Sequence, residues 1–118
     1  MPFVTMLLSE SEQIYKVALQ KKIYADTSSE LEQALDDLIR HKARHLLLDL
    51  TQLELIDSSG LRALIIAVKL LKAEQRGGIA AFGMTPNIQK IFGLISADRL
   101  IPCFPGEAEA LAHLRGQS

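Results

Sequence analysis

Apolar and polar residues alternate along this chain in two different rhythms. The opening runs, PFVTMLLS and then QIYKVALQ, are short and rich in β-formers, and the polar SESE between them predicts a tight turn and an antiparallel hairpin. The rhythm then changes to helical. Leu31, Ala34, Leu35, Leu38 and Ile39 recur at three- and four-residue steps, with Glu30 and Glu32 expected in the first turn and Thr27, Ser28 or Ser29 as the cap. HLLLDL at 45–50 is a nearly continuous apolar run, as expected of a strand covered on both faces in mid-sheet. A loop is expected to lead from there to Asp57. Beyond it Leu61, Leu64, Ile65, Val68 and Leu71 return to helical spacing, which stops at Gly77-Gly78.

IAAF at 79–82 is the next core strand, and in MTPN Thr85 is a cap with Pro86 at the first position of a helix through Ile88, Ile91, Phe92 and Ile95. LIPCF predicts a last strand, and Glu107, Leu111 and Leu114 mark a final helix. Strands alternate with helices from residue 45 onward, so right-handed crossovers make those strands parallel. The expected fold is α/β: one domain over residues 1–118, a mixed central sheet of about five strands with about four helices packed mainly on one face.

A chain of 118 residues, 48% hydrophobic and 23% charged, can bury a core without disulfides or metals. Thirteen basic and fourteen acidic side chains leave a formal charge of -1, and the basic ones are scattered, which argues against nucleic acid as a partner. The densest basic stretch, RHKAR at 40–44, closes the first predicted helix, where cations complement the helix dipole. Cys103, the single cysteine, cannot form an internal disulfide, and Ile101 and Phe104 beside it suggest a buried thiol. FVTMLL is too short for a signal h-region or a membrane span, so a cytoplasmic protein without membrane insertion is expected.

Catalytic constellations are weak. There is no G-x-S-x-G turn, and the three histidines fall at element surfaces or ends: His41 and His113 on helices, and His45 at a strand start, where a solvated group is expected. No His or Cys pair has metal-ligand spacing, Asp36-Asp37 lies on a predicted solvent face, and no phosphate-binding glycine loop is present. Neither a metal nor a cofactor is expected, and the chain does not read as an enzyme.

The informative stretch is IDSSGL at 56–61. Ser58 or Ser59 at a helix start can accept a hydrogen bond from an orphaned backbone amide, worth about 1 kcal/mol with no function attached. The same helix end carries roughly half a positive charge, so a phosphate attached there is tolerated by its own domain. Gly60 either answers a local backbone need or leaves room for an approaching active site.

HLLLDLTQLELIDSSGLRALI resembles the centre of STAS domains, the bacterial anti-sigma-factor antagonists, and GGIAAFGMTPNIQKIFGLISADRLIPCF resembles their following strand, short helix and last strand. The likeness is loose before residue 45 and close from there to about residue 114. It implies that Ser58 is phosphorylated by a GHKL-type serine kinase that doubles as an anti-sigma factor. The unphosphorylated domain then binds that kinase, and a PP2C-type phosphatase resets the phosphorylated form.

The resemblance further implies that Asp57 positions Ser58 or helps the kinase accept its proton, and that Asp49, at the end of the central strand, supports an acceptor loop completed by Ser59 and Gly60. Both acids equally suit purely local roles, at a helix start and a strand end. The implied partner face takes in Tyr24, Asp26, Thr27, Arg62, Met84 and Thr85. Here KKIYADT replaces the family's common G-E-L-D, with Lys21 and Lys22 for Gly-Glu and Tyr24 for Asp, Asp26 offers a carboxylate nearby, and Arg62 stands where glycine is common. The face is thereby more positive, a change suited to partner selectivity. The alternative is a constitutive STAS scaffold, as in lipid-transport ABC systems. Those subunits tend to carry threonines in place of D-S-S, so Asp57-Ser58-Ser59 favours the switch.

Overall fold

The opening hairpin forms as its two runs of β-formers and the polar turn between them predict: β1 (Phe3–Ser9) lies antiparallel to β2 (Ile14–Ile23), with Phe3 opposite Leu19 and Leu7 opposite Tyr15. In the computed structural model, which describes residues 2–116, β2 continues past Gln20 through both lysines to Ile23. That extension gives β3 (His45–Ile56) a parallel partner along its whole length, from Ile14 opposite His45 to Ile23 opposite Ile56. TQLELI, expected as a loop, is therefore strand: Leu53 and Ile56 are buried, and Lys21, at φ 58°, adjoins a register shift in the pairing.

β4 (Ile79–Phe82) pairs in parallel with Leu46 to Asp49 alone, and the two-residue β5 (Cys103–Phe104) pairs with Ala81 and Phe82. The strands lie in chain order in a single five-stranded sheet. β3 overhangs β4 from Leu50 to Ile56.

Four helices, α1 (Ala25–His41), α2 (Ser58–Ala73), α3 (Pro86–Leu94) and α4 (Glu107–Arg115), connect and flank the strands, with a short 3-10 turn at Ala97–Arg99. α1 begins a turn earlier than its serines suggested. Tyr24 is its N-cap residue, because β2 delivers the chain to that point, and Thr27 lies inside the first turn with its hydroxyl on the Tyr24 backbone. Ser28 is buried and donates to the Ala25 carbonyl. At the other end Arg40 and His41 occupy the last turn, as the basic run predicted, and Arg76 from beyond α2 donates to the Ile39 and Arg40 carbonyls.

The two faces of β3 explain its unbroken apolar run. Leu46 and Leu48 point into the main core, against Leu31, Leu35, Leu64 and Phe92 of α1, α2 and α3. Leu47 points to the opposite face, where it joins Ile14, Ala80 and Phe82 beneath Ala110 and Leu114 of α4. Three helices thus share one face and one covers part of the other. β1 closes one side of the sheet, its outer edge unpaired among the described residues, and Val4, Met6 and Leu7 on it are 47%, 51% and 47% exposed.

His45 is buried and not solvated as its strand-end position suggested. Its Nδ1 accepts from the Gly78 amide at 2.9 Å, and its ring lies where a side chain on Gly77 would have to go. Burial and the neighbouring Arg44 charge lower its pKa from the ordinary value. Cys103 is partly buried; its Sγ donates to the Ile101 carbonyl, and burial pushes its pKa up to about 11, leaving a protonated thiol at neutral pH.

Candidate functional site

The start of α2 is built around Asp57. Its backbone is extended, its amide donates to the Ile23 carbonyl at 3.1 Å, and its own carbonyl accepts from Leu61 at 3.0 Å. The carboxylate accepts from the Gly60 amide at 3.0 Å and from the Ser59 hydroxyl at 2.6 Å. The cap is therefore the aspartate and not a serine. Asp and Ser both suit the position, and the Asp57–Ile23 bond between the ends of β3 and β2 sets the register. The Ser59 hydroxyl first, and then the Gly60 amide, hold the Asp57 carboxyl below the usual carboxylate range, so it is ionised at neutral pH.

The two serines consequently differ. Ser59 is half-buried with its hydroxyl donated to Asp57. Ser58, at the first position of α2, is exposed, and its hydroxyl makes no hydrogen bond among the described residues.

Gly60 faces inward. A Cβ there would come within 2.6 Å of Ile56 Cγ1 and 2.8 Å of Ile23 Cγ2, so glycine lets the helix start sit directly on the ends of β2 and β3. Of the two roles the sequence leaves open for Gly60, the contact with Ile56 and Ile23 is a local one. Asp49 is misplaced by the sequence reading. It lies within β3 and not at its end, and its carboxylate accepts from the Thr51 amide at 3.0 Å and hydroxyl at 2.7 Å. No hydrogen bond joins it to residues 57–60 among the described residues.

Around this centre, Tyr24 and Asp26 are exposed at the start of α1, which the Asp57–Ile23 bond holds beside α2. Thr27, by contrast, is tied to Tyr24. Arg62 is exposed one turn along α2 from Ser58. Met84 and Thr85 belong to the neighbouring strand-to-helix connection, beside the β3 overhang. Met84 packs partly against the main core, and Thr85 caps α3 by accepting from the Ile88 amide at 3.3 Å, as its Thr-Pro context predicted. Gly83, at φ +73°, turns the chain against Thr51.

Asn87, which the sequence did not single out, donates to the Glu54 carbonyl at 3.1 Å and ties α3 to the overhang. A polar residue in a first helical turn carries no sequence signal that separates such a tie from a solvated side chain. Among the described residues no group of three or more His, Cys, Asp and Glu is placed to hold a metal ion, and no helix is long and apolar enough to cross a membrane.

A sheet of one antiparallel hairpin strand and four mutually parallel strands, with Asp-Ser-Ser-Gly opening the second helix, defines a class that sequence comparison identifies. The chain belongs to the STAS domain family, whose model matches residues 5–110. It is similar to the anti-sigma F factor antagonist of Paenibacillus polymyxa, 28% identical over 100 residues that span 83% of this chain and 84% of that protein. Among solved structures, the anti-sigma factor antagonist SpoIIAA in its unphosphorylated form superposes with a TM-score of 0.82 at 16% identity, over 97% of this chain and 96% of that one. The Bacillus cell fate determinant SpoIIAA in its phosphorylated form gives 0.74 at 15%, over 96% and 99%. At those identities the structural likeness is one of fold.

Proposed function

We propose that the chain is a non-catalytic partner-switching regulator whose switch is phosphorylation of Ser58. The observation that carries this reading is the division of labour between the serines. The Ser58 hydroxyl is exposed and unengaged within the described residues, whereas modifying Ser59 would break its bond to the Asp57 cap. A phosphate on Ser58 therefore leaves the cap in place. The similarity to an anti-sigma F factor antagonist, and to a protein solved in a phosphorylated form, supports the same role.

A phosphoserine carries roughly -1.5 to -2 charge at pH 7. Inside an interface shaped for a neutral hydroxyl, a penalty of ~3 kcal/mol lowers affinity about a hundredfold. The isolated domain loses little, because the N-terminus of α2 is favourable to negative charge. In this reading the unphosphorylated form binds a GHKL-type serine kinase acting as anti-sigma factor, phosphorylation at Ser58 releases it, and a PP2C-type phosphatase resets it. Asp57 acts by fixing the backbone that presents Ser58, and Tyr24, Asp26, Arg62 and the Met84–Thr85 connection supply the surrounding face.

Incubation with ATP and the cognate kinase, read by intact mass, is expected to add one phosphate to the native chain and none to Ser58→Ala. A phosphate still added to that variant overturns the assignment. Kinase affinity unchanged by Ser58→Glu in calorimetry would favour the constitutive scaffold.

A further inference from the structure

Phosphorylation at Ser58 would place a dianion one residue from an ionised carboxylate, since Asp57 is held in its charged form. The charge that offsets this repulsion lies on the same helix. Ser58 and Arg62 line one surface cavity of about 350 Å³, together with the apolar Leu61, Ile65 and Ile95 and with Lys69. Among the described residues no acidic side chain lines it. Arg40, Arg76 and Arg115 each bind a carboxylate or a carbonyl, but Arg62 forms no ion pair or hydrogen bond among the described residues.

Helix geometry directs Arg62 toward Ser58. Residues four apart are about 6 Å apart along the axis and share a face. Helical side chains lean toward the N-terminus, a direction that puts the preceding turn, where Ser58 lies, within reach of the guanidinium, and both residues line the same cavity. An anion with its cation four residues later is also the more favourable order for a helical pair. Lys69 is eleven residues on, roughly 16 Å along the axis, and is not a neighbour of Ser58.

We propose that Arg62 is a built-in receptor for the phosphate on Ser58, its planar guanidinium pairing with two phosphoryl oxygens once the serine is modified. This rests on Ser58 being the acceptor. The consequence is a second effect of phosphorylation besides added charge, because the modified form withdraws Arg62 from the partner-facing surface. An acidic group on the partner that pairs with Arg62 in the unphosphorylated complex then loses its cation at the moment the phosphate appears.

The test uses the full chain carrying phosphoserine installed at position 58 during synthesis, so that no kinase is required, and follows the phosphorus chemical shift against pH. A nearby cation favours the dianion, so the native chain is expected to show its second phosphate ionisation about half a pH unit below that of Arg62→Ala. Arg62→Lys should retain part of the lowering, and Lys69→Ala should leave the midpoint where it is. Equal midpoints for the native chain and Arg62→Ala, with both variants folded by circular dichroism, overturn the receptor while leaving the acceptor assignment standing. Failure of a kinase to modify Ser58 sinks the acceptor assignment and leaves this titration readable. A midpoint moved equally by Lys69→Ala would show a diffuse field in place of a specific pair and would also overturn the proposal.

Discussion

At Gly60 two opposing effects meet on one residue. Alanine is favoured over glycine within a helix by about 1 kcal/mol, so Gly60→Ala would stabilise an unobstructed turn. The added methyl would instead enter the contact with Ile56 and Ile23, and overpacking of a filled site costs about 1–3 kcal/mol. Chemical denaturation is therefore expected to show a lower midpoint for Gly60→Ala. A raised midpoint would mean that the ends of β2 and β3 can retreat and that the glycine serves something other than packing. The residue types of Asp57-Ser58-Ser59-Gly60 mark a candidate site in the sequence, but the hydrogen bonds that distinguish them do not show there. Aspartate and serine are both good N-caps, and the choice between them follows from the bond between the Asp57 amide and Ile23, thirty-odd residues away. Asp49 was misjudged for the same reason, since nothing local says that the strand continues past it.

At the scale of the element, β3 carries both a correction and a titration. Its second half suggests a loop because TQLELI mixes polar and apolar residues without a strict alternation, and the irregular pairing with β2 buries Leu53 and Ile56, three residues apart. The helices were easier to read, since a single apolar stripe identifies each one regardless of what it packs on. At the first residue of β3, His45 accepts the Gly78 amide through Nδ1, an interaction open only to the neutral ring. Its folded pKa lies below the ordinary 6.5, so the unfolded chain takes up the proton first. The stability that His45 contributes is full above pH 6.5 and is lost as pH falls below it. Unfolding midpoints measured at pH 7.5 and 5.5 should thus drop for the native chain and drop less for His45→Asn, whose side-chain oxygen can replace the acceptor without titrating. Equal slopes for the two proteins would exclude His45 as the titrating group.

For the molecule as a whole, the sheet separates two tasks. The main core beneath α1, α2 and α3 supports the start of α2, whereas α4 seals a smaller cluster on the opposite face. Leu114→Ala is expected to cost about 2–5 kcal/mol, because the side chain is fully buried there. Phosphate uptake at Ser58, measured well below the unfolding temperature, should not change. A variant equally destabilised but slow to accept phosphate would show that the faces are coupled. The general α/β plan and the mixed sheet were readable from element order alone. The unequal distribution of helices became specific only once the register of β3 assigned Leu47 to one side and Leu46 and Leu48 to the other.

The open edge of β1 has a colloidal consequence. Phe3–Ser9 contains no charged residue, and although a register irregularity near Ser9 disturbs one end of the strand, Val4 to Leu7 present free backbone and apolar side chains together. Concentrated solutions are expected to associate slowly through that strand, and Met6→Lys should suppress the growth of light scattering without altering phosphate uptake. If scattering grows at the same rate, the association begins elsewhere. Shelf life in this protein is then set at a sheet edge remote in sequence from the proposed phosphate acceptor, and a single lysine there is expected to lengthen storage.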